Sequence, residues 1–184
     1  DVGYIRITRF IEKVDDSLEQ AMADVRRRLG DKMRGIVLDL RNNPGGLLEQ
    51  SVTVADFFLD SGAIVTVKGQ RGGGRVYEAT RGDLARGVPM VILINNGSAS
   101  ASEIVASALQ YHGRAVVMGG QSFGKGSVQT VAPLPLEGAL RLTTSLYYAP
   151  SGETIQARGI EPDIELIETP APDAAPAKPA ARPS

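Results

Sequence analysis

The 184-residue sequence has no cysteine, no tryptophan and a single histidine, His112. The first absence removes disulfides, thiolate nucleophiles and cysteine-ligated zinc together, while leaving the redox compartment open. One histidine is too few for a histidine-based metal centre, and it limits any histidine-dependent catalytic triad. Long apolar runs are also missing, since no stretch approaches the ~18 residues of a membrane-spanning helix. Charge of one sign is not in excess. Lys and Arg number 20 against 21 Asp and Glu, a formal charge of −1, so nothing favours nucleic acid or an anionic membrane as partner.

What is present supports a globular domain. Of the residues, 42% are hydrophobic and 22% charged, enough apolar bulk for one core. The chain opens on "DVGYIRIT", already strand-like and without a signal peptide, which reads as a domain excised from a longer protein. Residues 1–167 are expected to fold. From 168 to 184 the sequence is dominated by Ala and Pro, a composition too poor in large apolar side chains to fold, and a disordered tail is expected there.

Within the folded part, apolar runs alternate with helical spacing, the pattern of an α/β protein. Strands are predicted at 2–8, at "GIVLDL" (35–40), at "MVILIN" (90–95) and at "AVVMG" (115–119). Helical stripes separate them. The first is Leu18, Ala21, Met22, Val25 and Leu29, behind the capping candidates Asp15, Asp16 and Ser17; the next are Leu48, Val52, Ala55 and Leu59, then Ala101, Ile104, Val105, Ala108 and Leu109. "AIVTVK" and "RVYEAT", joined by "GQRGGG", read as a hairpin. "SVQTVAPL" and "ALRLTTSLYY" read as paired strands, the second alternating Leu140, Leu142, Thr144 and Leu146 on one face.

"NNGSASASEI" (95–104) sets serines at 98, 100 and 102 between a strand and a helix. Ser100-Ala101-Ser102-Glu103 fits S-x-x-E, a capping box, and helix-start chemistry alone accounts for that pattern. The position adds more, because α/β folds place their sites where a strand's carboxyl end meets a helix's amino end, and amides there can hold an oxyanion. A serine nucleophile needs a base. His112 lies 12 residues along the same helix, ~18 Å away at ~1.5 Å rise per residue, so it is placed at the helix end, before Gly113 at C′.

"GGQSFGKGSVQ" (119–129) resembles the start of a P-loop, but Gly126 replaces the magnesium-binding Ser or Thr and a strand pattern follows instead of a helix. Nucleotide binding is therefore not expected. Lys125 sits between Gly124 and Gly126, and period-2 alternation places positions 125, 127 and 129 on one side, so that Gln129 could orient the lysine amine. Lysine serves as a base only when burial favours its neutral form. "DLRNNPGG" (39–46) is a strand-to-helix turn that is either purely structural or a source of a second oxyanion donor from Gly45 or Gly46.

Together "DLRNNPGG", "NNGSASASEIVASAL", "SFGKGSVQ" and "YYAPSGETIQARGIEPDI" resemble the carboxyl-terminal processing peptidases, also called tail-specific proteases, over residues 3–166. The resemblance implies a Clp protease/crotonase-like fold of repeated β-β-α units and a serine endopeptidase with a Ser-Lys dyad. It implies Ser100 as nucleophile, Lys125 as general base and Gln129 as the residue orienting it. The amides of Gly46 and Ala101 match the oxyanion hole, Ser98 shapes the turn, and Ser102 has no catalytic part. The resemblance implies no cofactor or metal, polypeptide substrates cleaved near their C-termini, and a setting outside the cytoplasm that for family members is the periplasm, the cell envelope or a chloroplast lumen, with periplasm or cell envelope expected here. Its members carry a PDZ domain that this chain lacks, and a homo-oligomer is compatible with the pattern. The reading from another class is a non-catalytic ligand- or peptide-binding domain on the same scaffold.

Overall fold

A computed structural model describes residues 1–69, 72–80, 82–134 and 138–166. The Ala/Pro-rich tail expected at 168–184 lies outside them, as do Gln70 and Arg71 at the centre of the glycine-rich turn. Five strands form a parallel sheet in the order β1 (Val2–Arg6), β2 (Gly35–Asp39), β5 (Met90–Ile94), β6 (Val116–Gly119), β9 (Ile164–Glu165). The connections run through α1 (Val14–Leu29), α2 (Leu48–Asp56) and α3 (Ala101–Tyr111). Because the strand order never reverses, right-handed crossovers lay the helices on one face of the sheet. Accordingly α2 packs against both α1 and α3.

A second, antiparallel sheet has the order β4 (Gly74–Glu78), β3 (Ala63–Gly69), β8 (Ala139–Tyr148), β7 (Ser127–Pro133). It buries Ile64, Val65 and Tyr147 in the common core with Ile36, Leu38, Ile92, Ile94 and Val117 of the parallel sheet. Helix α3 lies deep in this core, with every residue from Ala101 to Leu109 buried. Only the last part of β8, from Ser145, pairs with β3. The outer halves of β7 and β8 therefore stand away as a two-stranded ribbon on which Leu140 and Leu142 are exposed.

The expected α/β alternation, the β3–β4 hairpin and the β7–β8 pair are all present. Two local expectations are corrected. The first strand ends at Arg6. Helix α1 is not capped by Asp15, Asp16 or Ser17: it begins at Val14, with Lys13 in the left-handed region, and its first amides, at Val14 and Asp15, donate to Gln50 Oε1 of α2 at 3.0 and 3.3 Å, Val14 N also reaching Ile11 O at 3.3 Å. The orphan donors of a helix start are thus satisfied from a neighbouring helix.

Candidate active site

The carboxyl ends of β2, β5 and β6 open into three turns that meet at the amino end of α3. The first holds the residues of "DLRNNPGG". Asp39, fully buried, accepts hydrogen bonds from Tyr4 Oη (2.6 Å) and from Arg41 N, Nε and Nη2 (3.0, 2.9 and 2.8 Å). Burial raises its pKa, but the bonds from Arg41 and Tyr4 outweigh burial and bring it down to about 2. Four residues after Asp39, Asn43 donates to Ile7 O (2.8 Å) and accepts the Gly45 N–H (2.9 Å). Its carbonyl receives the Ala99 N–H (3.0 Å) and the Ser102 hydroxyl (2.9 Å).

The second turn carries the serines, and the structure separates them. Ser98 is buried, donates to Leu40 O at 2.8 Å and accepts the Asn95 N–H at 3.1 Å. Ser102, also buried, is tied to Asn43 as above. Both brace the turn after β2, the part expected of Ser98 and a structural duty for Ser102. Ser100 stands at the N-cap of α3 with φ 56° and ψ −114°, a strained conformation for a residue with a side chain, costing ~1–3 kcal/mol. The predicted capping box with Glu103 is formed. His112 closes the far end of α3, with Nε2 2.8 Å from Ala63 O.

The third turn follows β6 and contains Lys125. What joins it to Ser100 is Glu103, a fully buried carboxylate with four donors. Its Oε1 accepts Ser122 Oγ and Gly124 N, both at 2.6 Å, and its Oε2 accepts Ser100 N at 2.7 Å and Lys125 N at 2.9 Å. A single oxygen therefore bridges the main chains of the two residues matched to nucleophile and base. Residues 121–126 carry no helix or strand and lead directly into β7, with no helix after Lys125, so the P-loop reading is excluded by context as well as by Gly126.

Two expectations about the lysine side are not met as stated. Lys125 is exposed, where a base was expected to be buried. The pairing of β7 with β8 shifts register between Val128 and Gln129, so simple alternation does not carry from Lys125 to Gln129, and no hydrogen bond joins these side chains among the described residues. A β-bulge of this kind re-aims the side chains beyond it, and nothing in the residue types announced it.

Gly45 and Gly46 differ in what their amides do. The Gly45 N–H is taken by Asn43. Gly46 lies in a parallel bridge with Phe10 made through Gly45 O and Leu47 N, which leaves its own N–H without a partner among the described residues, as is that of Ala101. Both glycines are sterically required. A Cβ on Gly45 would lie 2.8 Å from Ser100 Cβ and 2.9 Å from Ala101 N, and one on Gly46 would collide with Phe10 O.

The family model for Peptidase family S41 matches residues 1–166. The chain belongs to peptidase family S41. It is 53% identical over 175 residues to a carboxy-terminal-processing protease of Bartonella bacilliformis, covering 94% of this chain and 40% of that protein. It is 34% identical to a chloroplastic C-terminal processing peptidase of Tetradesmus obliquus, covering 90% of this chain and 35% of that one. Among solved structures it superposes on a photosystem II D1 C-terminal processing protease with a TM-score of 0.83 at 34% identity, over 90% of this chain and 42% of the other. This S41 chain thus has the α/β, Clp protease-like fold expected from its motifs, and spans about two fifths of the length of these relatives.

Proposed function

We propose that this chain is the catalytic core of a serine endopeptidase that cleaves polypeptides near their C-termini, with Ser100 as nucleophile and Lys125 as general base. The observation that carries the reading is the Glu103 carboxylate, which holds the main chains of Ser100 and Lys125 on one oxygen. Ser100 is raised on a strained turn at the amino end of α3, beside two unpartnered amides, Gly46 and Ala101, that suit an oxyanion. Since the Gly45 amide is engaged, Gly46 is the better donor of the two glycines.

In the proposed reaction Ser100 Oγ attacks the peptide carbonyl carbon while Lys125 Nζ takes the hydroxyl proton. The carbonyl oxygen becomes an oxyanion held by Ala101 N–H and Gly46 N–H. Collapse of that intermediate breaks the C–N bond, Lys125 gives its proton to the leaving amine, and water, deprotonated by Lys125, hydrolyses the ester. Gln129 orients the amine. No cofactor or metal takes part. Because Lys125 is open to solvent here, a bound polypeptide, or the remainder of the full-length protein, covers it in the working enzyme. A PDZ domain outside this chain delivers the substrate, and the family's setting in the periplasm or cell envelope applies.

The test is covalent labelling of the full-length protein with a serine-reactive acylating probe, with mass spectrometric mapping. Labelling at Ser100, lost in Ser100→Ala and slowed at least a hundredfold in Lys125→Ala, is expected, about the contribution of a positioned general base. The exposure of Lys125 favours one competing reading, a non-catalytic binding domain. Absence of labelling in a folded protein that retains peptide binding would establish it.

A further inference from the structure

Phe123 is 64% exposed, more than any other large hydrophobic residue described. Exposure of such a side chain usually accompanies a loose loop. Here the opposite holds, for the main chain is fastened at each neighbouring residue. Ser122 N donates to Ile160 O (3.1 Å), Phe123 N to Ser98 O (3.0 Å), and Gly124 N and Lys125 N to Glu103, while Gly124 O receives Ala157 N (2.8 Å). The Ser122 hydroxyl is buried between Glu103 and the Ile160 N–H. Burial alternates along the segment: Ser122, Gly124 and Gly126 are buried, and Phe123 and Lys125 are exposed. An anchored turn therefore presents an aromatic ring to solvent two residues before the lysine, and the main-chain N–H of the same residue is bonded to Ser98 O, two residues before the serine.

A second exposed apolar side chain stands on the turn after β2. Leu47, 44% exposed, follows Gly46 directly, and its N–H is anchored on Phe10 O at 2.8 Å. The neighbouring Gly45 lies against Ser100 Cβ. Two apolar groups on anchored main chain thus stand on the turns either side of the nucleophile turn in the sheet, Leu47 after β2 and Phe123 after β6. Neither helps the chain fold, since each leaves apolar surface in water.

We infer that Phe123 and Leu47 form the walls of a subsite that receives an apolar side chain of the polypeptide substrate at the scissile bond, an inference that rests on the Ser100 reading above. An apolar residue seated there excludes water from the Lys125 side of the site, whereas a polar or charged one stays hydrated. Phe123 and Leu47 are thus specificity-determining residues and take no part in the proton transfers.

The experiment uses full-length protein and two disordered polypeptides identical except for Leu or Ser at the residue whose carbonyl is cleaved. Phe123→Ser is expected to lower the Leu-to-Ser ratio of kcat/KM about tenfold or more, and Leu47→Ser to lower it less, as loss of apolar contact in a pocket does. Phe123→Leu restores most of the ratio. A small acylating probe without a side chain labels Ser100 at the parental rate in all three, because the mutated groups are exposed. An unchanged ratio in Phe123→Ser overturns the subsite. So does a parallel loss of probe labelling, which would make the ring a structural element of the turn. Parental cleavage by Ser100→Ala would instead remove the nucleophile assignment, and the subsite with it.

Discussion

Glu103 is the residue whose replacement separates the proposed site from the surrounding fold. In Glu103→Ala three backbone N–H groups, at Ser100, Gly124 and Lys125, lose their acceptor, and the Ser122 hydroxyl loses one as well. Of these the Gly124 amide and the Ser122 hydroxyl are buried and the Ser100 and Lys125 amides partly so; an orphaned buried donor costs ~1–3 kcal/mol, so the two buried groups amount to about 2 kcal/mol at the low end, against the ~5–15 kcal/mol that holds a domain together. Glu103→Gln is milder for a geometric reason. With its NH₂ on the Oε1 side it meets Ser122 Oγ, which already accepts the Ile160 N–H at 2.7 Å and has a further lone pair. Gly124 N–H and the Ser122 O–H are then left without that acceptor, the hydroxyl oxygen gaining the NH₂ as a donor in exchange, and the amide oxygen still bridges Ser100 and Lys125. The reverse orientation orphans both of those amides and is avoided. Denaturant midpoints should fall in the order parent, Gln, Ala, with about 1–3 kcal/mol lost for Gln. Probe labelling at Ser100 should survive in Gln and collapse in Ala even at temperatures where Ala is folded. An alanine variant within about 0.5 kcal/mol of the parent and labelled at the same rate would refute the argument that this carboxylate joins the two loops.

Acid titration should expose the other buried carboxylate. Asp39 has a folded pKa near 2 against an ordinary 3.8, so below 3.8 the unfolded chain binds the proton first. Stability of about 2 kcal/mol, fully present above pH 4, is lost as pH falls toward 2, and Asp39→Asn should flatten that limb in pH-dependent denaturation. Burial raises the pKa of Tyr147 above its ordinary 10.0, so its contribution is intact below pH 10 and lost as pH rises through the higher folded value; Tyr147→Phe should make the alkaline limb shallower. Gly45→Ala should abolish labelling at Ser100, since the added methyl falls 2.8 Å from Ser100 Cβ at a φ of 97°.

Much of this architecture was legible because its signals are local. The stripes that became α2 and α3, the apolar runs that became β2, β5 and β6, and the S-x-x-E box at Ser100 each depend on residues within one or two turns of chain. The capping of α1 by Gln50 was not, because its acceptor comes from another helix. Glu103 shows the limit most clearly. Its position three residues after Ser100 was fully accounted for by the capping box, which concealed its reach to residues 122–125. One signal was available: Glu103 is the only charged residue in an otherwise apolar or small helix, "ASEIVASALQY", and a carboxylate that must be buried needs more donors than a capping box supplies. The shift of register at Gln129 and the exposure of Lys125 follow from strand pairing and from coverage, neither of which is written in spacing.

That exposure fits a division of labour within the site. The parts built from main chain, the strained turn at Ser100 and the amides of Gly46 and Ala101, are fixed by buried side chains of this chain: Asn43, Ser98, Ser102 and Glu103. Dipoles held in advance need no rearrangement when charge develops, so in the proposed reaction this fixed part would supply the electrostatic share of catalysis. The lysine depends on a different quantity, removal of water, which burial provides and which hydrogen bonds from the fold do not. A strand of substrate laid between Phe123 and Leu47 would bring that change at the moment of reaction. In the proposed chemistry the nucleophile is assembled in advance and open to a small acylating probe, while peptide cleavage would draw the full strength of its base from the polypeptide that covers Lys125.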